Sequence, residues 1–164
     1  MREWHDFFVA QVGATAALTG LLVVSLSVHI APILKYAWLP PRAAQTVIVL
    51  SGAIVESSLQ LFPLPSIRWT AALLGIVAAI VYVLALRLSL RAIALGETTP
   101  DGDMRRVQLL SGAATQVATL PCIVGAAIGF AGLPGFEYWV AAGIVLSLLF
   151  GLYNSWVLLV EILR

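Results

Sequence analysis

Cysteine is nearly absent. Cys122 is the single one among 164 residues, which excludes an intrachain disulfide and any site built from several thiolates. Charge is scarce as well: Asp, Glu, Lys and Arg make up 10% of the chain, against about 25% in a typical soluble domain. The net charge of +1 supplies neither the basic surface that nucleic acid requires nor an acidic counterpart. Long polar stretches are missing too, so no hydrophilic domain is expected to hold a nucleotide or a soluble partner. The sequence contains no H-E-x-x-H, P-loop, Gly-x-Ser-x-Gly or Cys-x-x-Cys pattern. It has no pair of intramembrane carboxylates of the aspartyl-protease kind and no Thr-Val-Gly-Tyr-Gly potassium filter. These absences argue against an enzyme and give no reason to expect a cofactor or a metal.

What remains is apolar. Hydrophobic residues make up 61% of the chain and mean hydropathy is +1.01. About 20 apolar residues cross about 30 Å of hydrocarbon as a helix, and five stretches meet that length, at about 7–30, 43–63, 68–92, 107–131 and 137–161. The expected fold is all-α: residues 1–164 form one integral membrane domain of five transmembrane helices, with the bilayer as principal partner. The opening "MREWHDFF" mixes Arg2 with Glu3 and Asp6 and lacks the basic n-region of a cleaved leader, so the first apolar run is expected to be a retained span. "APILKYAWLPPRA", "FPLPSIR", "GETTPDGDMRR" and "GLPGFE" punctuate the runs with prolines, glycines and charges. Lys35, Arg42, Arg87, Arg91, Arg105, Arg106 and Arg164 fall on one side, against Arg2 and Arg68 on the other. By the positive-inside rule the N-terminus lies outside and the C-terminus in the cytoplasm. Trp4, Trp38, Trp69 and Trp139 lie near span ends, where interfacial aromatics are expected.

"VIVLSGAIVE" in the second span and "VQLLSGAATQ" in the fourth share Leu-Ser-Gly-Ala. Both spans run in one direction, so the echo fits either a parallel duplication of a helical hairpin or coincidence in an apolar alphabet.

Polar and small residues fall on faces. At 100° per residue, Gln11, Thr15, Thr19, Ser25 and His29 share one side of the first span, with Gly13, Ala16, Ala17 and Gly20 roughly opposite. Gln45, Gly52, Glu56 and Gln60 line the second span. Gln108, Ser111, Gly112, Thr115, Thr119 and Cys122 line the fourth, continuing to Gly125, Ala126 and Gly129. In the fifth, Gly143, Ser147, Gly151 and Ser155 recur every four residues, with Asn154 alongside. Small residues let helix backbones approach in lipid, so these stripes read first as packing seams. They serve equally for contacts between subunits, and a homo-oligomer is expected.

Glu56 is harder to explain as packing. An acidic residue near the bilayer centre costs about 2.5–3.5 kcal/mol even on the lenient insertion scale, and such groups face an interior or a wet cavity. Two readings stay open. Glu56 is either a protonated carboxyl bonded to a neighbouring helix or part of an ion or proton path. Depth matching places it near Thr15, Ser147 and Cys122, and places Asn154 level with Gln116 as an expected amide pair. His29 ends the polar stripe of the first span, either as an interfacial side chain or as a pH-sensitive group at a pore's inner mouth. His5 and His29 lie about 36 Å apart along one helix, which rules out bis-histidine haem within one chain.

"WHDFF…GATAALTGLLVVSLSVHI", followed by "LPPRAAQT", resembles a family of small multi-pass bacterial membrane proteins. The likeness covers roughly the first 60 residues. It implies a bacterial inner-membrane setting and carries over no site residues. The function expected from the residues is a homo-oligomeric, channel-like protein conducting monovalent cations or protons. The expected path comprises Gln11, Thr15, Thr19, His29, Glu56, Gln60, Gln116 and Asn154. The alternative is a non-conducting accessory subunit of a larger membrane complex.

Overall fold

The computed structural model describes residues 2–96 and 102–162, and the side chains of most of them. It is all-helical over those residues: α1 Arg2–Val28, α2 Ile30–Lys35, α3 Leu39–Leu61, α4 Ile67–Gly96, α5 Gly102–Phe130 and α6 Phe136–Ile162. Five of these are long and apolar enough to cross a membrane: Trp4–Val28, Leu39–Leu61, Ile67–Leu95, Gln108–Phe130 and Phe136–Val157. Of the polar connection expected around Pro100, residues 97–101 lie outside the described residues, as does Arg164, while Gly102–Arg106 are not turn but the start of α5.

Two further boundaries differ from expectation. The first connection is not a plain loop, because α1 breaks at His29 and a short α2 follows before Trp38. The second span begins at Leu39 rather than 43, with Pro40 and Pro41 inside its first turn. Proline ends a helix from within but suits the first turn, where backbone N–H groups have no intrahelical acceptor. Reading that pair as a terminator therefore cut the helix short. Pro63 and Pro65 do follow the end of α3, and Pro121 lies inside α5. The α5–α6 turn is set by glycine. Gly132 has φ +73°, its N–H meets the Gly129 carbonyl at 3.1 Å, and the Leu133 N–H meets that of Ile128 at 3.1 Å. Those two bonds make the Schellman closure, which needs a left-handed residue at the position Gly132 fills.

α3 packs on α4, α4 on α5, α5 on α6 and α6 back on α3, so four helices enclose an interior, while α1 lies outside against α3 and α6. Of the most apolar window of each helix, 44% is buried in α3 but only 17% in α1. Large apolar side chains such as Leu21, Val28, Leu110 and Val117 are exposed, whereas Thr15, Gln45, Glu56, Thr115, Ser147 and Asn154 are buried. That inversion suits a chain whose outer surface meets acyl chains and whose polar groups must find partners inside.

Candidate functional site

Positions 42, 45, 49, 52 and 56 of α3 alternate by three and four residues and so share one face, turned to the interior: Arg42, Gln45, Val49, Gly52 and Glu56 are all buried. α5 answers with Gln108, Gly112, Thr115, Thr119 and Cys122, and α6 with Val140, Gly143, Ser147, Gly151 and Asn154, all buried as well. α4 contributes mainly Ala71, Leu74, Ala78, Val81 and Ala85, and one hydroxyl, Ser89. Three helices thus present a polar or small face to a common interior column.

Side chains of α3 and α5 meet at two levels. Arg42 and Gln45 line one cavity with Gln108, and the Cys122 thiol donates to Glu56 Oε2 at 3.2 Å. From 42 to 56, and from 108 to 122, the rise along each helix is about 21 Å. The two helices therefore run parallel with residues 66 apart at one depth. The Leu-Ser-Gly-Ala tetrads, which start at 50 and 110, are then about 9 Å out of register. A duplication about an axis along the membrane normal would put them at one depth.

Glu56 is 4% exposed and has no cationic partner among the described residues. It sits where polar column meets apolar core. Phe8, Leu74, Ala126, Phe136, Val140 and Ile144 cluster around Cys122 on the side toward the start of α6. The Val140 carbonyl, 3.8 Å from Cys122 Sγ, is the thiol's other acceptor.

The Thr15 hydroxyl, expected near Glu56, bonds its own helix instead, as Thr19 and Thr119 do. Thr15 donates to the Gln11 carbonyl at 2.7 Å, Thr19 to that of Thr15 at 2.7 Å, and Thr119 to those of Thr115 and Gln116 at 3.2 Å each. Back-bonding of this kind is the ready way for a threonine to satisfy itself in a helix. The expected Asn154–Gln116 pair is not formed. Asn154 Oδ1 accepts from Ser111 Oγ at 2.8 Å, and both amide atoms of Gln116 are buried without a partner. Gln11 Oε1 and Gln60 Nε2 are likewise buried and unpartnered. His29 stands apart at the end of α1, its Nδ1 3.0 Å from the Ser25 carbonyl. Truncating either side of the α5–α6 bond tests it: Ser111→Ala lowers the unfolding free energy by about 0.5–1.5 kcal/mol, the range for one interhelical hydrogen bond in a membrane protein. Adding Asn154→Ala then costs less than it does in the wild type, as a double-mutant cycle in detergent will read.

The small-residue ladder of α6 is an internal seam and not a surface for another subunit. A methyl group at Gly143 would strike Cys122, one at Gly151 would strike Leu50, and one at Gly125 would lie 2.8 Å from Val140 Cγ2. Gly129 abuts Ala71 and Phe136, while Ser147 is buried and Ser155 donates to the Gly151 carbonyl at 2.6 Å. Gly13 and Gly20 are the opposite case: both are exposed, and a methyl there would meet nothing within 4 Å.

Arg42 was not visible from sequence as a site residue, since it read as a loop cation. The heptad-like run 42–45–49–52–56 was the signal, obscured by the two prolines before it. Among the described residues, no cluster of three His, Cys, Asp or Glu side chains is placed to hold a metal ion. Fold and interior together define a multi-pass, five-helix membrane protein with a polar core. No protein-family model, curated protein or solved structure matches the chain.

Proposed function

We propose that the chain is a channel-like membrane protein that moves protons, or monovalent cations, along the polar column inside each protomer, with Glu56 as the titrating group at its outer end. The observation that carries this reading is Glu56 itself: a carboxyl buried in the bundle, held by a thiol, at the head of a line of polar side chains from three helices. Buried intramembrane acids of this kind mark ion paths and proton relays. Protons suit the column better than metal cations. A dehydrated metal cation needs several oxygen ligands with compensating negative charge, whereas Glu56 is the only buried acid among the described residues and Arg42 places a positive charge at the column's far end. A ring of carboxylates around an axis between subunits is not favoured, because Glu56 faces α5 of its own chain. The homo-oligomer we propose meets instead through α1, on the open side that carries Gly13 and Gly20.

Purified protein in liposomes is expected to dissipate an imposed pH gradient. Flux no greater than in empty liposomes across pH 5–8 overturns the reading. One observation favours the alternative, an accessory subunit of a larger complex: the apolar cluster around Phe8, Phe136 and Val140 closes the column beyond Glu56. A stoichiometric partner recovered from native membranes, together with absent flux, selects it.

We place the protein in a bacterial inner membrane, as the resemblance over roughly its first 60 residues implies, with the N-terminus outside on the strength of the basic residues Lys35, Arg87, Arg91 and Arg106 at one end of the bundle. Single cysteines introduced at Lys35 and at Trp69, in a Cys122→Ala background, should react with an impermeant maleimide only at Trp69 in intact cells. Labelling at Lys35 reverses the orientation.

A further inference from the structure

Gln45, Ser89 and Gln108 come from three different helices and are 4%, 5% and 5% exposed. Gln45 Nε2, Ser89 Oγ and both amide atoms of Gln108 have no hydrogen-bond partner. A buried polar group without a partner costs about 1–3 kcal/mol, so several in one place mark somewhere an occupant belongs. All three residues line one cavity, together with Arg42, Ala92, Ser111 and Gly112. Its volume is about 10 Å³, close to the minimum for one water-sized atom. It is partly open to the outside of the bundle.

The wall is rich in donors. Two amide groups and a hydroxyl face the space, and an amide oxygen is interchangeable with its nitrogen by a flip. Arg42, itself already held by another interaction in the chain, adds a positive charge to the same wall. No carboxylate is among the lining residues. An uncharged water satisfies some of these donors, but an anionic oxygen satisfies them with charge-assisted bonds of about twice the strength. The location agrees. Arg42 lies in the first turn of α3, at the membrane-surface end of that helix, and Arg87, Arg91 and Arg106 are exposed at the same end. Basic pockets between transmembrane helices at this level attract anionic headgroups.

We propose that this cavity between α3, α4 and α5 binds one oxygen of a phosphate group, supplied either by a phospholipid headgroup or by free inorganic phosphate. The site lies about 21 Å along the bundle from Glu56 and is read by binding, so it stands or falls separately from proton flux.

The test uses the full chain, delipidated in a phosphate-free maltoside detergent, with unfolding followed by tryptophan fluorescence. One arm titrates inorganic phosphate against sodium chloride at matched ionic strength. The other adds phosphatidylglycerol against diacylglycerol. Ligand at a hundred times its Kd should raise the midpoint by about 5 °C in at least one arm. A rise with inorganic phosphate alone assigns free phosphate; a rise with the lipid, alone or with both, assigns the headgroup. Gln108→Leu should weaken that binding about tenfold, the equivalent of one charge-assisted hydrogen bond, and Ser89→Ala provides the same readout if the first variant does not fold. No rise in either arm, a rise matched by chloride or diacylglycerol, or unchanged affinity in the variants overturns the site.

Discussion

Glu56→Gln reduces proton flux through reconstituted protein to the level of empty liposomes while leaving the fold intact. Glutamine keeps the shape of the side chain and an oxygen for the Cys122 thiol, so the contact between α3 and α5 survives. What it loses is the capacity to take up and release a proton, which is the whole of the role assigned to Glu56. The expected loss is therefore in flux and not in stability. Glu56→Asp separates geometry from titration. Its carboxyl is one methylene shorter and stands back from Cys122 Sγ, so flux should fall partway and recover no further on raising the driving gradient. Glu56→Leu adds the stability reading. Leucine removes the cost of holding a lone acid in the bundle, and the Cys122 thiol keeps the Val140 carbonyl as an acceptor, so a folded, non-conducting variant of about wild-type stability is the expected result. The measurements are acidification of liposomes carrying a trapped pH dye, and unfolding in detergent on the same preparations. Wild-type flux in the Gln variant removes Glu56 from the path. Loss of folding in the Leu variant makes Glu56 a structural group first.

Much of this arrangement was legible before any coordinates, and the parts that were not have physical reasons. The five spans follow from continuous apolar runs of about 20 residues, because a run of that length satisfies its backbone in lipid as a helix, whereas barrel strands are shorter and alternate. The common depth of Glu56 and Cys122 followed from counting residues along helices, since both lie mid-span, but the same count put Thr15 and Ser147 there too and did not single out the thiol as the partner. Asn154 lies nearer an end, where a small change in tilt or loop length shifts the level by a turn, and its partner proved to be Ser111 and not Gln116. The glycines announced close approach but not the partner. Gly143 and Gly151 recur on one face whether that face meets α3 and α5 or another copy of the chain, and periodicity holds no information about which. Arg42 was misplaced for a local reason: two prolines at a helix start look in sequence like two prolines at a helix end.

Gly143→Ala is the substitution expected to damage the fold most. Its added methyl would lie 2.9 Å from the Cys122 backbone nitrogen as well as against the thiol. A side chain can rotate aside, but a backbone nitrogen inside α5 moves only with its helix, so α5 and α6 must separate. Overpacking of this sort costs about 1–3 kcal/mol, and the upper half of that range is expected because the obstacle is main chain. Separation also draws Cys122 away from Glu56, so flux should fall together with stability, unlike in Glu56→Gln. Gly151→Ala is the milder comparison. There the obstacles are Cδ and Cγ atoms of Leu50, and Leu50→Ala in the same chain should recover part of the loss by making room. No such recovery is open to Gly143→Ala through Cys122→Ala, since the nitrogen remains. Gly13→Ala completes the series: with nothing in reach of the new methyl, unfolding should stay within about 0.5 kcal/mol of wild type. Any change at that position should appear only in the mass of the assembled particle in lipid. Denaturation in sodium dodecyl sulfate, followed by helical circular dichroism, ranks the three. A Gly143 variant no less stable than the Gly13 one would mean that α5 and α6 do not meet through this glycine, and the close seat of Cys122 beside Glu56 would go with it.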